Sequence, residues 1–132
     1  MFTSFDTSAS ALAAGRGRMN VLANNLANAK TRDPDTGLPY RRRRVVFSLG
    51  TENNPNNGVS VSNIITDQSQ FTEKYEPNHP NADPETGMLK VSNINPMKEW
   101  IDIMEATRAY EANVTAMDAA KSIVTTSFRI IA

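Results

Sequence analysis

The chain has 132 residues, enough for about one domain, and its 14 basic residues balance its 14 acidic residues. This balance predicts no overall attraction to nucleic acid or to an anionic membrane. With no cysteine and one histidine, disulfide frameworks, thiolate metal sites and histidine clusters are excluded, and we expect no metal and no cofactor. The first residues lack the pattern of a secretory signal, and no later stretch is apolar enough for membrane insertion.

A first helix is predicted from Ser4 to about Ala29, because this segment contains no proline. Its large apolar residues recur every seven positions, as in a coiled coil, at Phe5, Leu12, Met19 and Leu26. Half a heptad away lie Ser8, Gly15, Leu22 and Ala29, which are mostly small and would let another helix approach closely. Gly15 and Gly17 lower the helix propensity of this segment.

The middle of the chain cannot form one long helix, because residues 30–95 hold six of the seven prolines and four of the six glycines. Segments rich in β-branched and aromatic residues predict a hairpin of Arg41–Leu49 and Val59–Ile65, with a loose turn over Asn53–Gly58. Weaker strands are predicted over Phe71–Tyr75 and Met88–Val91.

A second helix is predicted from Pro96 to about Ile131, with Asn95 as its N-cap. Its seam also follows a heptad, at Ile103, Tyr110, Met117, Val124 and Ile131. Apolar residues off this seam lie at Ile101, Val114, Ile123, Phe128 and Ile130. A single partner helix covers only one side, so an apolar stripe is expected to stay exposed and to bind further copies head to tail in an open helical assembly.

These elements predict an α+β fold. Residues 1–30 and 96–132 would form an antiparallel, coiled-coil-like helical assembly core, and residues 31–95 a small β-rich insert. Three acidic residues early in the second helix, Glu99, Asp102 and Glu105, are expected to form a charged outer face that complements the helix dipole.

Several segments of the sequence are similar to the axial proteins of the bacterial flagellum, and within that family to its short proximal rod proteins. They are the run LANNLANA at 22–29, PYRR at 39–42 leading into VVF at 45–47, YEPNHPNAD at 75–83, NIN at 93–95 and EWIDIMEATRAYEAN at 99–113. The resemblance implies helical termini of the axial D0 type and a structural subunit of the proximal rod. Such a subunit polymerises into the tube that transmits torque and through which export substrates pass.

The same resemblance implies where the protein acts and with what. The expected partners are copies of itself, other proximal and distal rod proteins, and the flagellar type III export apparatus. The expected location is the rod of the basal body, where it crosses the periplasm, after export without a cleaved signal peptide. Torque transmission would benefit from asparagine amides that fix the register between helices.

Combining the heptads with the resemblance, we predict an assembly interface. Its residues are Phe5, Leu12, Met19, Leu22, Asn24, Asn25, Leu26, Asn28, Trp100, Ile103, Tyr110, Asn113, Val114, Met117, Val124, Phe128 and Ile131. For Asn24, Asn25 and Asn28, helix termination remains an alternative role.

Some features of the sequence could indicate functions other than assembly. The arginines at 41–44 could bind nucleic acid, but a solvated strand or salt bridges between subunits suit zero net charge better. His79 is interpreted as a plain loop residue, because no second histidine or cysteine completes a metal site. No catalytic residues are expected, since a nucleophile with its base and a phosphate loop are both missing. The alternative function is a coiled-coil adaptor or secreted protein that binds unrelated partners.

Overall fold

The computed structural model describes residues 2–51 and 54–131. In chain order its elements are α1 (Phe2–Ala27), β1 (Arg43–Thr51), β2 (Asn54–Thr66), β3 (Thr72–Tyr75), β4 (Met88–Val91) and α2 (Pro96–Ile131). The strands form two antiparallel pairs, β1 with β2 and β3 with β4. The fold is therefore α+β.

An asparagine follows the end of α1, and another precedes the start of α2. The side-chain amide of Asn28 donates a hydrogen bond to the Asn24 carbonyl at 2.8 Å, just after α1 ends. Asn95 caps α2 as predicted, because its side-chain oxygen accepts hydrogen bonds from the backbone N–H groups of Met97 at 3.1 Å and Lys98 at 3.3 Å. Pro96 is the first residue of α2, where a missing N–H does no harm.

The two helices run in opposite directions against each other. Asn25, near the end of α1, contacts Glu99 near the start of α2. Met19 contacts Thr107, and a Cβ at Gly15 would lie 3.7 Å from the Tyr110 ring. If this antiparallel pairing continues along both helices, the start of α1 lies beside about residue 123 of α2. The last turns of α2 therefore project beyond the start of α1.

The other side of α1 packs on the hairpin of β1 and β2. A Cβ at Gly17 would lie 3.1 Å from Val61 Cγ2, and the Val59 N–H donates to Ser10 Oγ at 3.1 Å. The element that approaches Gly17 is therefore a strand. Helix α1 lies between α2 and the hairpin.

The hairpin is longer than its sequence pattern predicts. Its register runs from Arg43 opposite Thr66, through Leu49 opposite Val59, to Thr51 opposite Asn54, with irregularities after Val46 and after Leu49. The segment 54–58, expected to be turn, belongs to β2, and positions 52 and 53 lie outside the described residues. The smaller sheet is closer to the prediction, since β4 has the expected bounds and β3 begins one residue later than expected.

Two turns have the same structure, and the second of them leads directly into β4. In residues 33–37 and again in residues 83–87 an aspartate begins the sequence Asp-Pro-acid-Thr-Gly. The Gly37 N–H donates to the Asp33 carbonyl at 2.9 Å, and the Gly87 N–H donates to the Asp83 carbonyl at 2.8 Å. Both glycines have φ of +69°, a conformation that favours glycine. We call residues 33–37 and 83–87 the twin turns.

The buried apolar core is small. Among the described residues the buried apolar side chains are Ala14, Val21, Leu22, Leu89, Ile94 and Ala106. Two of these six are alanines, so little apolar surface is hidden within one chain. Over the described residues, neither helix is at once long and apolar enough to cross a membrane.

Candidate functional site

A buried polar junction joins α1, β1 and α2. Asn25 is fully buried, and its Nδ2 donates to the Arg43 carbonyl at 2.8 Å while its Oδ1 accepts from the Arg43 N–H at 2.9 Å. The same Nδ2 donates to Glu99 Oε2 at 3.1 Å. One amide thus pairs with a strand backbone and with a helix side chain. We call Asn25, Arg42, Arg43 and Glu99 the polar junction.

The carboxylate of the junction is buried and ion-paired. Glu99 is 0% exposed, so its predicted place on a charged outer face is wrong. Arg42 Nε donates to Glu99 Oε1 at 2.5 Å, and its Nη2 lies 3.4 Å from Asp102 Oδ2. Of the three predicted outward acids, only Glu105 is exposed. Among the described residues, no buried side-chain nitrogen or oxygen atom is left without a hydrogen bond.

The four arginines at 41–44 have different partners. Arg42 belongs to the junction, and the Arg41 guanidinium stacks on the Phe71 ring at 4.1 Å. Arg44 faces Asp67 at 3.9 Å, and Arg43 lies over the Tyr40 ring at 5.6 Å. Salt bridges and stacking within the chain therefore engage much of a run that could have suggested nucleic-acid binding.

The predicted interface residues lie in three different environments. Leu22 and Asn25 are buried within the chain. Half-buried along the helices are Phe5, Leu12, Met19, Leu26, Asn28, Ile103, Tyr110, Asn113, Met117 and Val124. Exposed and free for a partner are Asn24, Trp100, Val114, Phe128 and Ile131.

The projecting end of α2 is the most exposed apolar surface of the described chain. Ile130 is 81% exposed and Ile131 is 83% exposed. Ile123 and Phe128 are also more than half exposed. We call these four residues the overhang. Exposed apolar surface of this kind is typical of an interaction site.

A second apolar stripe lies at the start of α2 and was largely missed from the sequence. Met97, Trp100, Ile101 and Met104 are each more than half exposed. Their spacing of three and four positions places them on one helix face. The predicted interface included Trp100 alone, although this spacing was visible in the sequence.

The aspartates of the twin turns are held ionised by backbone donors. The Thr36 N–H donates to Asp33 Oδ1 at 3.1 Å and the Asp35 N–H donates at 2.9 Å, which lowers the pKa of the Asp33 carboxyl from 3.8. In the second turn the Glu85 N–H donates to Asp83 Oδ1 at 2.9 Å and lowers the pKa of Asp83. These carboxylates stabilise turns and do not converge on a ligand.

No metal centre is formed by the part of the chain that the structure describes, since no three His, Cys, Asp or Glu side chains cluster there. The Nδ1 of His79 accepts a hydrogen bond from the Asn81 N–H at 3.1 Å. His79 therefore stabilises its own loop, in agreement with the interpretation as a loop histidine.

Comparison with known proteins decides the family. The chain is 39% identical to the flagellar basal-body rod protein FlgC of Bacillus subtilis, covering 98% of this chain and 97% of the relative. The chain belongs to the flagellar basal-body rod protein FlgC family. It is also 35% identical to FlgC of Borreliella burgdorferi, covering 99% of this chain and 97% of the relative. To FlgC of Salmonella typhimurium it is 38% identical, covering 91% of this chain and 90% of the relative.

Two family models match the helical ends of this FlgC-family chain. Residues 5–32 match "Flagella basal body rod protein", and residues 85–129 match "Flagellar basal body rod FlgEFG protein C-terminal". The overhang begins within the second match, and the stripe at the start of α2 lies inside it. Membership makes the chain a structural component of the rod and not an enzyme.

Proposed function

We propose that this chain is a subunit of the proximal rod of the flagellar basal body. Its copies polymerise into the helical tube that transmits torque and through which export substrates pass. The observation that carries the proposal is the likeness to FlgC proteins over nearly the full length of both chains. The small core supports it, because a subunit with little buried apolar surface gains stability from its neighbours.

Residues 1–30 and 96–132 act as the assembly core in this proposal, with residues 31–95 as the insert. The core is an antiparallel coiled coil of the axial D0 type. Its support is the heptad seam of α2, where Ile103, Tyr110 and Met117 are less exposed than most of the residues around them. The seam holds the two helices of one chain together, and the surfaces outside the seam contact other subunits.

The contacts between subunits use the exposed members of the predicted interface. Asn24, Trp100, Val114, Phe128 and Ile131 contact neighbours directly. The buried and half-buried members set the spacing of these surfaces from within the chain. The overhang contributes most, because its four apolar side chains are all more than half exposed at one end of the chain.

The partners follow from the family. They are copies of this chain, the other proximal and distal rod proteins, and the flagellar type III export apparatus that delivers it. The match of residues 85–129 to a model named for FlgE, FlgF and FlgG supports similar packing of α2 against these relatives. The rod places the assembled protein across the periplasm.

The experiment compares assembly of Phe128→Asp with that of Phe128→Leu. Phe128 is 67% exposed, so neither change should greatly alter the folding of the single chain. The aspartate puts a charge into the buried contact, whereas leucine keeps it apolar. Concentrated protein is studied by sedimentation and electron microscopy, and motility is scored in cells that lack their own rod subunit.

We expect helical polymers and motility from the wild type and Phe128→Leu, and neither from Phe128→Asp. Motility supported by Phe128→Asp would contradict the role of the overhang. A wild-type protein that forms a soluble dimer, never elongates and is absent from isolated basal bodies would instead support the coiled-coil adaptor.

A further inference from the structure

A groove between α1 and β1 carries both apolar and basic side chains. Its volume is about 240 Å³. Its apolar lining is contributed by Val21, Leu22, Val45 and Phe47, and its arginines are Arg18, Arg42, Arg43 and Arg44. We call it the arginine groove. The mixture suits a partner that brings an apolar side chain together with carboxylates.

Two of the groove arginines have no carboxylate to bind. Arg42 is committed to Glu99 and Asp102. Arg18 and Arg43 form no ion pair with any residue that the structure describes. The Arg43 guanidinium lies over the Tyr40 ring, which leaves its N–H groups without a carboxylate. The N–H groups of Arg18 and Arg43 therefore remain available for acidic groups from outside the chain.

A flank of α2 has the complementary character. Glu111, Val114 and Asp118 are spaced by three and then four positions, so they share one helix face. All three are exposed. Glu111 and Asp118 lie about 10 Å apart along the helix at 1.5 Å per residue, with Val114 between them. We call this face the acidic flank.

The acidic flank points away from the groove around the axis of α2. Asp102 lines the groove, and Glu111 follows it nine positions later, which at 3.6 residues per turn is about half a turn around α2. A chain therefore cannot cover its own groove with its own flank. Two different surfaces that face opposite ways join copies into an open series and not into a closed dimer.

We propose that the arginine groove of one copy binds the acidic flank of α2 in a second copy. Val114 packs against Val45 and Phe47. Glu111 and Asp118 pair with Arg18 and Arg43. This contact is separate from the overhang and rests on the proposed function, because it requires that copies of the chain assemble.

The chain contains no cysteine, so pairs of introduced cysteines test the contact directly. The test variant is Phe47→Cys with Val114→Cys, assembled and then mildly oxidised. The matched control is Phe47→Cys with Ala112→Cys, because residue 112 points about 160° away from residue 114 on the helix. We expect a ladder of disulfide-linked multimers from the first variant and none from the control.

Charge exchange gives an independent test. Arg18→Glu and Glu111→Arg should each raise the concentration needed for assembly by about tenfold, because each places like charges in the contact. The double variant should recover most of the loss, since the pair is restored with reversed sign.

The failure of this inference differs from failure of the proposed function. The contact would be overturned, and the function left standing, if polymers form normally but the cysteine pair gives no ladder or the charge exchange gives no rescue. A disulfide from residue 47 to a different rod protein would also overturn the contact. A wild-type chain that forms no polymer and is absent from isolated basal bodies would overturn the function itself.

Discussion

The side-chain amide of Asn25 donates a hydrogen bond to the carboxylate of Glu99 at 3.1 Å, across 74 positions of the chain. The same amide pairs with both backbone groups of Arg43. A single side chain thus joins the end of the first helix, the start of the hairpin and the start of the second helix. The junction is therefore a point where the packing of these three elements can be tested by changing single side chains.

Replacement of Asn25 by aspartate should destabilise the chain although the two side chains have nearly the same shape. Aspartate removes both donors and places an acceptor against the Arg43 carbonyl and against Glu99. We expect a loss of about 3 kcal/mol or more in the free energy of unfolding, measured by urea denaturation. Asn24→Asp is the control, because Asn24 is exposed, and it should change stability by about 0.5 kcal/mol or less. Equal effects of the two changes would contradict the junction.

Removal of Arg42 should leave a buried charge without its partner. The Glu99 side chain is 0% exposed and Arg42 lies 2.5 Å from it, so Arg42→Ala is expected to cost about 3 to 5 kcal/mol. Arg44→Ala is the matched control in the same run. Arg44 is 53% exposed and lies 3.9 Å from Asp67, so its loss should cost less than about 1 kcal/mol. Thermal unfolding of the two variants in one buffer would show whether burial separates them.

The sequence predicted the helices well because their signals are local. Asn95 and Pro96 mark the start of α2 whatever the rest of the chain does, and the absence of a breaker carries the helix to Ile131. The α+β class follows from the same local signals. The strand β4 was also placed correctly, since turn residues bound it on the N-terminal side.

The polar junction could not be predicted, because it depends on contacts between distant segments. Glu99 looked like a solvent-exposed acid that favours a helix N-terminus, but it is buried against Asn25 and Arg42, which are distant from it in the sequence. The length of the hairpin was missed for a related reason. β2 begins at Asn54, which lies opposite Thr51 of β1, so the strand includes an asparagine-rich segment whose local preference is turn. The twin turns, by contrast, are a repeated motif that a search for internal repeats would have found.

Gly15 and Gly17 should respond differently to alanine although both lie in the same helix. Alanine raises helix propensity by about 1 kcal/mol at either position. At Gly15 the added Cβ makes an ordinary contact with Tyr110 at 3.7 Å, so Gly15→Ala should raise the melting temperature. At Gly17 it would lie 3.1 Å from Val61 Cγ2, so most of the gain should be lost.

A shorter residue on the hairpin tests the cause of this difference. In a Val61→Ala background the obstructing methyl group is gone, and Gly17→Ala should then stabilise the chain about as much as Gly15→Ala does. Calorimetry of Gly15→Ala, Gly17→Ala, Val61→Ala and the Gly17→Ala, Val61→Ala double variant gives the comparison. A gain at Gly17 that is the same with valine or alanine at position 61 would show that β2 does not limit this site.

The first of the twin turns should loosen in acid at a pH set by Asp33. Its pKa is lowered in the folded chain, chiefly because the Thr36 N–H donates to the carboxylate. The stabilisation is therefore complete above the ordinary pKa of 3.8 and is lost as the pH falls through the lower folded value. The Thr36 amide resonance in an NMR titration should shift with a midpoint below 3.8. Asp33→Asn should abolish this shift and leave that of Glu85, which reports on Asp83, unchanged.

The two glycines of the twin turns share a backbone conformation but not their surroundings. Alanine at φ of +69° is strained by about 1 to 2 kcal/mol at either Gly37 or Gly87. The added Cβ at Gly87 would also lie 2.8 Å from the Tyr75 ring, whereas at Gly37 it would lie 3.4 Å from Asn81. Gly87→Ala should therefore cost at least about 1 kcal/mol more than Gly37→Ala in chemical denaturation.

The same comparison in a Tyr75→Ala background separates the clash from the strain. Without the ring, the obstruction nearest to a Cβ at position 87 is removed, while the strain of the left-handed backbone stays the same. The difference between the two alanine variants should then shrink to about 0.5 kcal/mol or less. If it persists undiminished, the ring is not what distinguishes the turns, and contact of the added group with Pro77 at 3.2 Å would account for it instead.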